Sequence, residues 1–150
     1  MPKMVRHGAF TRVELLLDNA GGPLADMVAC QHAVAHALEL NQMHVIALTR
    51  VPYGDAPCGY ILNFTLEESF VVVETWPEIR RVKVLVDLCD YKRSNEKRCI
   101  LIGERIIRVF NAKGITISRE IKRDPGVLIN AKELEVLLKK YAPMDKPVPV

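Results

Sequence analysis

Apolar and polar positions along the chain divide it into alternating strands and helices. Phe10 to Leu17 alternates at first and then turns apolar, which predicts a strand ending at the turn Asp18-Asn19-Ala20-Gly21-Gly22. Pro23 suits a first helical turn, where a missing N–H costs nothing. Leu24, Met27, Val28, Val34, Ala35 and Leu38 then recur at helical spacing, predicting a helix over 24–40 that stops at Asn41-Gln42. His44 to Val51 reads as a second strand, and 52–57 as a loop. Gly59 to Thr65 and Ser69 to Trp76 read as one long strand with a break at Leu66-Glu67-Glu68. Arg81 to Leu88 alternates cleanly, with Val82, Val84, Val86 and Leu88 on one side and Lys83 and Asp87 on the other. A polar loop over 90–97 follows, in which Ser94 or Asn95 caps a helix through Phe110, and Asn111-Ala112-Lys113-Gly114 stops it. Ile115 to Ile121 is a further strand. Asn130 caps a last helix through Lys140, whose Lys139-Lys140 pair suits the negative end of the helix dipole.

The order βαβββαβα predicts an α+β two-layer sandwich, with helices on one face of a mostly antiparallel sheet. The other sheet face needs cover, and its apolar residues suggest a homodimer with sheets face to face. A length of 150 residues fits one domain, read here as 1–142 with a frayed tail at 143–150. A net charge of +3 is too mild to point to nucleic acid, and Arg80-Arg81 and Lys92-Arg93 are too short for a binding stripe. No stretch approaches the roughly 18 apolar residues of a membrane helix. The N-terminus lacks the apolar core of a signal peptide, so a cytoplasmic location is expected. The four cysteines, Cys30, Cys58, Cys89 and Cys99, show neither metal-like nor redox-like spacing, which fits a reducing compartment.

The chemistry concentrates in Glu68-Ser69-Phe70-Val71-Val72-Val73-Glu74-Thr75-Trp76-Pro77-Glu78. Period-two alternation sets Ser69, Val71, Val73 and Thr75 on one sheet face, and Phe70, Val72, Glu74 and Trp76 on the other. Glu74 thus shares a face with three apolar residues, which predicts either a sheet edge or a half-buried carboxylate with a partner. His32 and His36 stand at i and i+4 on the first helix near Cys30, a spacing that can hold a metal. No third ligand is evident, so no metal site is assigned, and His7 and His44 are isolated. Cys30 and Cys99 read as core residues.

The Glu-Ser pair, the Trp76-Pro77-Glu78 corner and Cys89, twenty residues after Ser69, together resemble the self-processing centre of the prokaryotic S-adenosylmethionine decarboxylases. The order of elements agrees with that family over roughly 8–142, and Pro52-Tyr53-Gly54 resembles its loop before the processing strand. The resemblance implies a chain that cleaves itself between Glu68 and Ser69, leaving a pyruvoyl group at the former Ser69. That group forms a Schiff base with the substrate's amine and draws electrons from the breaking Cα–carboxylate bond. Cys89 matches the proton donor, and Trp76 and Glu78 match the substrate pocket. The activity implied is decarboxylation of S-adenosylmethionine for polyamine (spermidine) synthesis, with no metal.

Three departures from the family pattern open alternatives. The motif's two histidines are Phe70 and Glu74 here, so Glu74 stands in place of the processing histidine. A glutamate can move protons if burial raises its pKa. The family's processing serine has Cys58 as its nearest analogue. Arg50-Val51 replaces an aromatic expected before Pro-Tyr-Gly, which admits a basic amino acid such as arginine or ornithine as substrate. The lost histidines equally admit an uncleaved, catalytically silent homologue that binds a ligand or a partner subunit.

Overall fold

The computed structural model describes residues 9–55, 58–90, 94–122 and 130–141. Six strands form one sheet: β1 (Phe10–Asp18), β2 (Val45–Tyr53), β3 (Gly59–Leu66), β4 (Ser69–Trp76), β5 (Arg81–Cys89) and β6 (Gly114–Lys122). The helices are α1 (Met27–Leu40), α2 (Glu96–Phe110) and α3 (Ala131–Tyr141). The sheet order is β2-β3-β4-β5-β1-β6, and every neighbouring pair is antiparallel. The expected α+β sandwich is therefore the fold, with the first strand inserted between β5 and β6.

The structure differs from the sequence pattern at 59–76. That stretch is two strands, not one interrupted strand, so the sheet has six strands where the pattern counted five. Leu66 pairs with Ser69, and the chain reverses through Glu67 and Glu68. Apolar residues recur at even positions across the break, Leu62, Phe64 and Leu66 and then Phe70 and Val72, which is why it reads as continuous, but burial shifts to odd positions in β4. Helix α1 also begins later than expected. Pro23 lies outside it, and Asp26 is the cap, its carboxylate accepting from the Ala29 N–H at 3.0 Å. The other caps fall where the sequence sets them: Asn111 ends α2 in the left-handed region, and the Asn130 side chain accepts from the Glu133 N–H at 2.8 Å.

One sheet face is the core. Val13, Leu15 and Leu17 of β1, Tyr60, Leu62, Phe64 and Leu66 of β3, Val71 and Val73 of β4, and Val82 to Leu88 at every second position of β5 are buried there. Helices α1 and α2 cover them. Helix α2 presents Cys99, Ile102, Gly103, Ile106 and Phe110, the i, i+3, i+4, i+7, i+11 stripe of a helix lying on a sheet. Gly103 permits the close approach, since a Cβ there would lie 3.3 Å from a Leu15 methyl. The opposite face is half-exposed. It mixes Ile61, Phe70, Val72, Leu85 and Trp76 with the ion pairs Arg12–Asp87 (2.7 Å) and Arg81–Asp18 (2.8 Å). Helix α3 stands apart, its apolar Leu134, Val136, Leu137 and Leu138 exposed.

Phe110 is fully enclosed where α2 ends over the sheet. Phe110→Ala is expected to cost about 3–5 kcal/mol of stability in urea titration. A loss under about 1 kcal/mol would mean that the pocket around the ring is not closed.

Candidate active site

The register between β4 and β5 assembles the site. Phe70 faces Asp87, Val72 faces Leu85 and Glu74 faces Lys83. Continued by two residues, that register sets Glu68 opposite Cys89. The contacts agree. The Cys89 N–H donates to Ser69 Oγ at 2.8 Å, and the Cys89 thiol lies against Glu68 Oε2 at 3.9 Å. Glu68, Ser69 and Cys89, singled out in the sequence by the family resemblance, thus meet at one end of the β4–β5 ladder.

The backbone at this point is unusual. Glu68 has φ 56°, in the left-handed region that a glutamate seldom occupies. Two-residue hairpins favour positive φ in the loop, and glycine or asparagine normally supplies it. A glutamate held there carries about 1–2 kcal/mol of local strain. Ser69 immediately after it is 7 % exposed, while Glu68 is open to solvent. The Glu68–Ser69 bond therefore lies at a boundary, with a fixed nucleophilic hydroxyl on its inner side and water on its outer side.

The remaining candidates are elsewhere in the chain. Glu74 is on the half-exposed sheet face, opposite to Ser69, and five residues of extended strand separate the two by about 16 Å. Trp76 and Glu78 lie farther along, Trp76 ending β4 and Glu78 in the short 3-10 turn Pro77–Ile79. Cys58 precedes β3 at that same far end, half-buried, with its thiol on the Gly54 carbonyl at 3.3 Å. Glu74 and Cys58, expected as helpers of the Ser69 reaction, are thus out of reach of Ser69 within one chain. Strand geometry is the reason: an odd separation flips the face, and hairpin pairing sends residue 58 to the end opposite Ser69. Arg50 bonds Gln31 of α1 at 3.3 Å and stands away from Ser69 as well. His32 and His36 are exposed on α1, and no group of three metal-ligating side chains occurs among the described residues. His7 lies outside the described residues.

Tyr53 was not assigned a role by the sequence, yet it organises the far end. Its ring lies over Gly59, where a Cβ would come within 2.9 Å of it, and its hydroxyl donates to the Thr75 carbonyl. Burial and then the nearby Glu74 and Glu78 carboxylates push its pKa up to about 12. Burial likewise raises the thiols of Cys30, to about 11, and Cys99, to about 12, which keeps both neutral and inert in the core.

No family model and no curated protein matches this sequence. The fold, however, matches a solved structure, the adenosylmethionine decarboxylase from Aquifex aeolicus VF5. The two superpose with a TM-score of 0.63 at 17% identity, over 83% of this chain and 97% of that one. At that identity the likeness shows a shared fold. It agrees with the α+β class that the sequence predicts.

Two measurements check this geometry. Glu68→Gly removes the left-handed penalty and is expected to raise stability by roughly 0.5–1 kcal/mol in thermal unfolding; a loss of stability would show that the carboxylate contact outweighs the backbone strain. Tyr53, raised above the ordinary value of 10.0, favours the fold fully below pH 10, and that contribution fades as pH rises through about 12. Ultraviolet titration should show a phenolate forming near pH 12 that Tyr53→Phe removes.

Proposed function

We propose that the chain is a pyruvoyl-dependent decarboxylase related to the adenosylmethionine decarboxylases, and that it generates the pyruvoyl group by cutting itself between Glu68 and Ser69. The observation that carries this reading is the coincidence, at one peptide bond, of a left-handed Glu68, a Ser69 hydroxyl fixed by the Cys89 N–H and the Cys89 thiol beside Glu68. A shared fold with a decarboxylase supports it.

The residues at hand account for the steps. Ser69 Oγ adds to the Glu68 carbonyl carbon, and the Cys89 N–H stabilises the charge that gathers on Oγ as its proton leaves. The Glu68 side-chain carboxylate and the Cys89 sulfur are bases within this cluster, one of which takes that proton and passes it to the departing nitrogen. Collapse of the adduct breaks the Glu68–Ser69 C–N bond and leaves Glu68 as an ester on Oγ. Loss of the Ser69 α-proton expels the new main-chain carboxylate of Glu68 and forms dehydroalanine. Addition of water and loss of ammonia then convert that residue to pyruvoyl. The segment 1–68 ends in a free carboxylate and the second segment begins at the former Ser69. Once formed, the pyruvoyl group supplies an electron sink for loss of CO₂ from an α-amino acid. Cys89, beside it, is placed to return a proton.

S-adenosylmethionine in polyamine synthesis is the first substrate under this reading, with arginine or ornithine as the alternative. Trp76 and Glu78 stand about 23 Å or more along the strand from Ser69. Any role for them, or for Glu74, in the Ser69 reaction therefore falls to a second copy, which fits a homodimer joined through the half-exposed sheet face. An uncleaved binding homologue is the second reading, favoured by the absence of Glu74 and Cys58 from the scissile end.

Intact-mass analysis decides between them. Two fragments divided at Glu68–Ser69, the larger carrying the pyruvoyl mass, are expected, and Ser69→Ala should leave a single folded chain. An unmodified wild-type chain after days at neutral pH would overturn the self-cleavage. Mixed dimers of Ser69→Ala and Glu74→Ala subunits test the second point. Activity in the mixture above that of either variant alone is expected if Glu74 acts across the dimer.

A further inference from the structure

The loop after β5 carries a chain of buried polar contacts that ends on Cys89. Thr11 is fully buried in β1, and its hydroxyl donates to Asp90 Oδ2 at 2.8 Å. Asp90, 4 % exposed, accepts with Oδ1 from the Asn95 N–H, also at 2.8 Å. The Asn95 side-chain amide returns to the strand and donates Nδ2–H to the Cys89 carbonyl at 2.8 Å. On the other side, the Asp90 N–H donates to the Ala9 carbonyl at 2.8 Å. Both peptide groups of Cys89 are thereby held: its carbonyl by Asn95, its N–H by Ser69.

Two features show that Asn95 is not an ordinary helix cap. It stands at the N-cap of α2, yet its side chain makes no capping bond to the helix. Among the described residues its Oδ1 is buried without a partner, an unfavourable state for an amide oxygen. An asparagine that caps would turn that oxygen to the free N–H groups of the first turn. Here the amide is committed to the Cys89 carbonyl instead, at the expense of the cap.

We infer that Asn95, locked by Asp90 and Thr11, is a positioning residue that aims Cys89 at the Glu68–Ser69 bond. The bracket fixes the Cys89 backbone from both ends, so the N–H stays on Ser69 Oγ and the thiol stays against Glu68. Asn95 acts through Cys89 and takes no part in the bond changes. This inference rests on the self-cleavage reading for its rate effect, but the placement of the thiol can be read without it.

Two readouts separate the inference from that reading. The first is the rate of cleavage of freshly refolded protein, followed by intact mass. Asn95→Ala is expected to slow it at least tenfold with the melting temperature held within a few degrees. Thr11→Val, which removes the hydroxyl with little change of volume, should also slow it, and Thr11→Ser should restore it. The second is the rate at which iodoacetamide alkylates Cys89, mapped by peptide against half-buried Cys58 as internal reference. Freed from its bracket, Cys89 should react at least threefold faster in Asn95→Ala and Thr11→Val, and at the wild-type rate in Thr11→Ser. Cleavage at the wild-type rate in Asn95→Ala would overturn the inference and leave the self-cleavage standing. If the wild type never cleaves, the proposed function falls and the alkylation rates decide alone. A threefold rise then upholds the positioning of Cys89, and no change refutes it. Should Asn95→Ala fail to fold, the Thr11→Val and Thr11→Ser pair gives the same two answers.

Discussion

The ladder between β4 and β5 governs where the candidate residues Ser69, Glu74 and Cys89 stand. Side chains alternate faces with a period of two, so a slip of one residue would turn Val71 and Val73 out of the core and bring Phe70 and Glu74 in. The apolar positions of β4 and β5 forbid that slip from both sides. Val84 and Val86 of β5 match Val73 and Val71 of β4 in the register seen. With the register locked by core packing, the last residue of β5 has one place to go, which is beside the turn that opens β4. The meeting of Cys89 with Ser69 follows from hydrophobic burial elsewhere in the sheet.

Much of this was legible in the sequence. The strands and helices announce themselves by period, and the caps at Asn111 and Asn130 use residue types suited to helix ends. The split of Ser69 and Glu74 onto opposite faces also follows from counting alone. What counting misses is the hairpin at Glu67-Glu68. Its residues are poor turn formers, and nothing in their type signals a left-handed backbone. The strain is imposed by the strands on either side, whose pairing demands a two-residue reversal. The same limit hides the bracket around Cys89. Asp90, Asn95 and Thr11 look like a loop, a cap and a strand residue, and only the fold joins positions 79 apart in the chain.

The two ends of β4 differ in character. The Ser69 end is drawn into the fold by buried Asp90 and Thr11, whereas the Trp76 end is shaped by an aromatic residue reaching across Gly59 to a backbone carbonyl. An extended strand keeps such sites apart, because it is the longest spacer a chain can build from eight residues. A helix of the same length would have brought them within about 12 Å. Separation on one strand is thus a property of the fold class.

The position of β1 has a consequence for the integrity of the molecule. A break at the Glu67-Glu68 turn would divide the strands into two sets, β1 to β3 and β4 to β6. These sets are not side by side in the sheet: β3 pairs with β4, and β1 is clasped between β5 and β6. Three ladders would have to be torn before the pieces could part. Helix α1 of one piece also packs on α2 of the other over a common core. A severed chain of this topology is interlocked like two hands with fingers crossed. The covalent bond at the hairpin tip is thus a link whose loss the architecture can absorb.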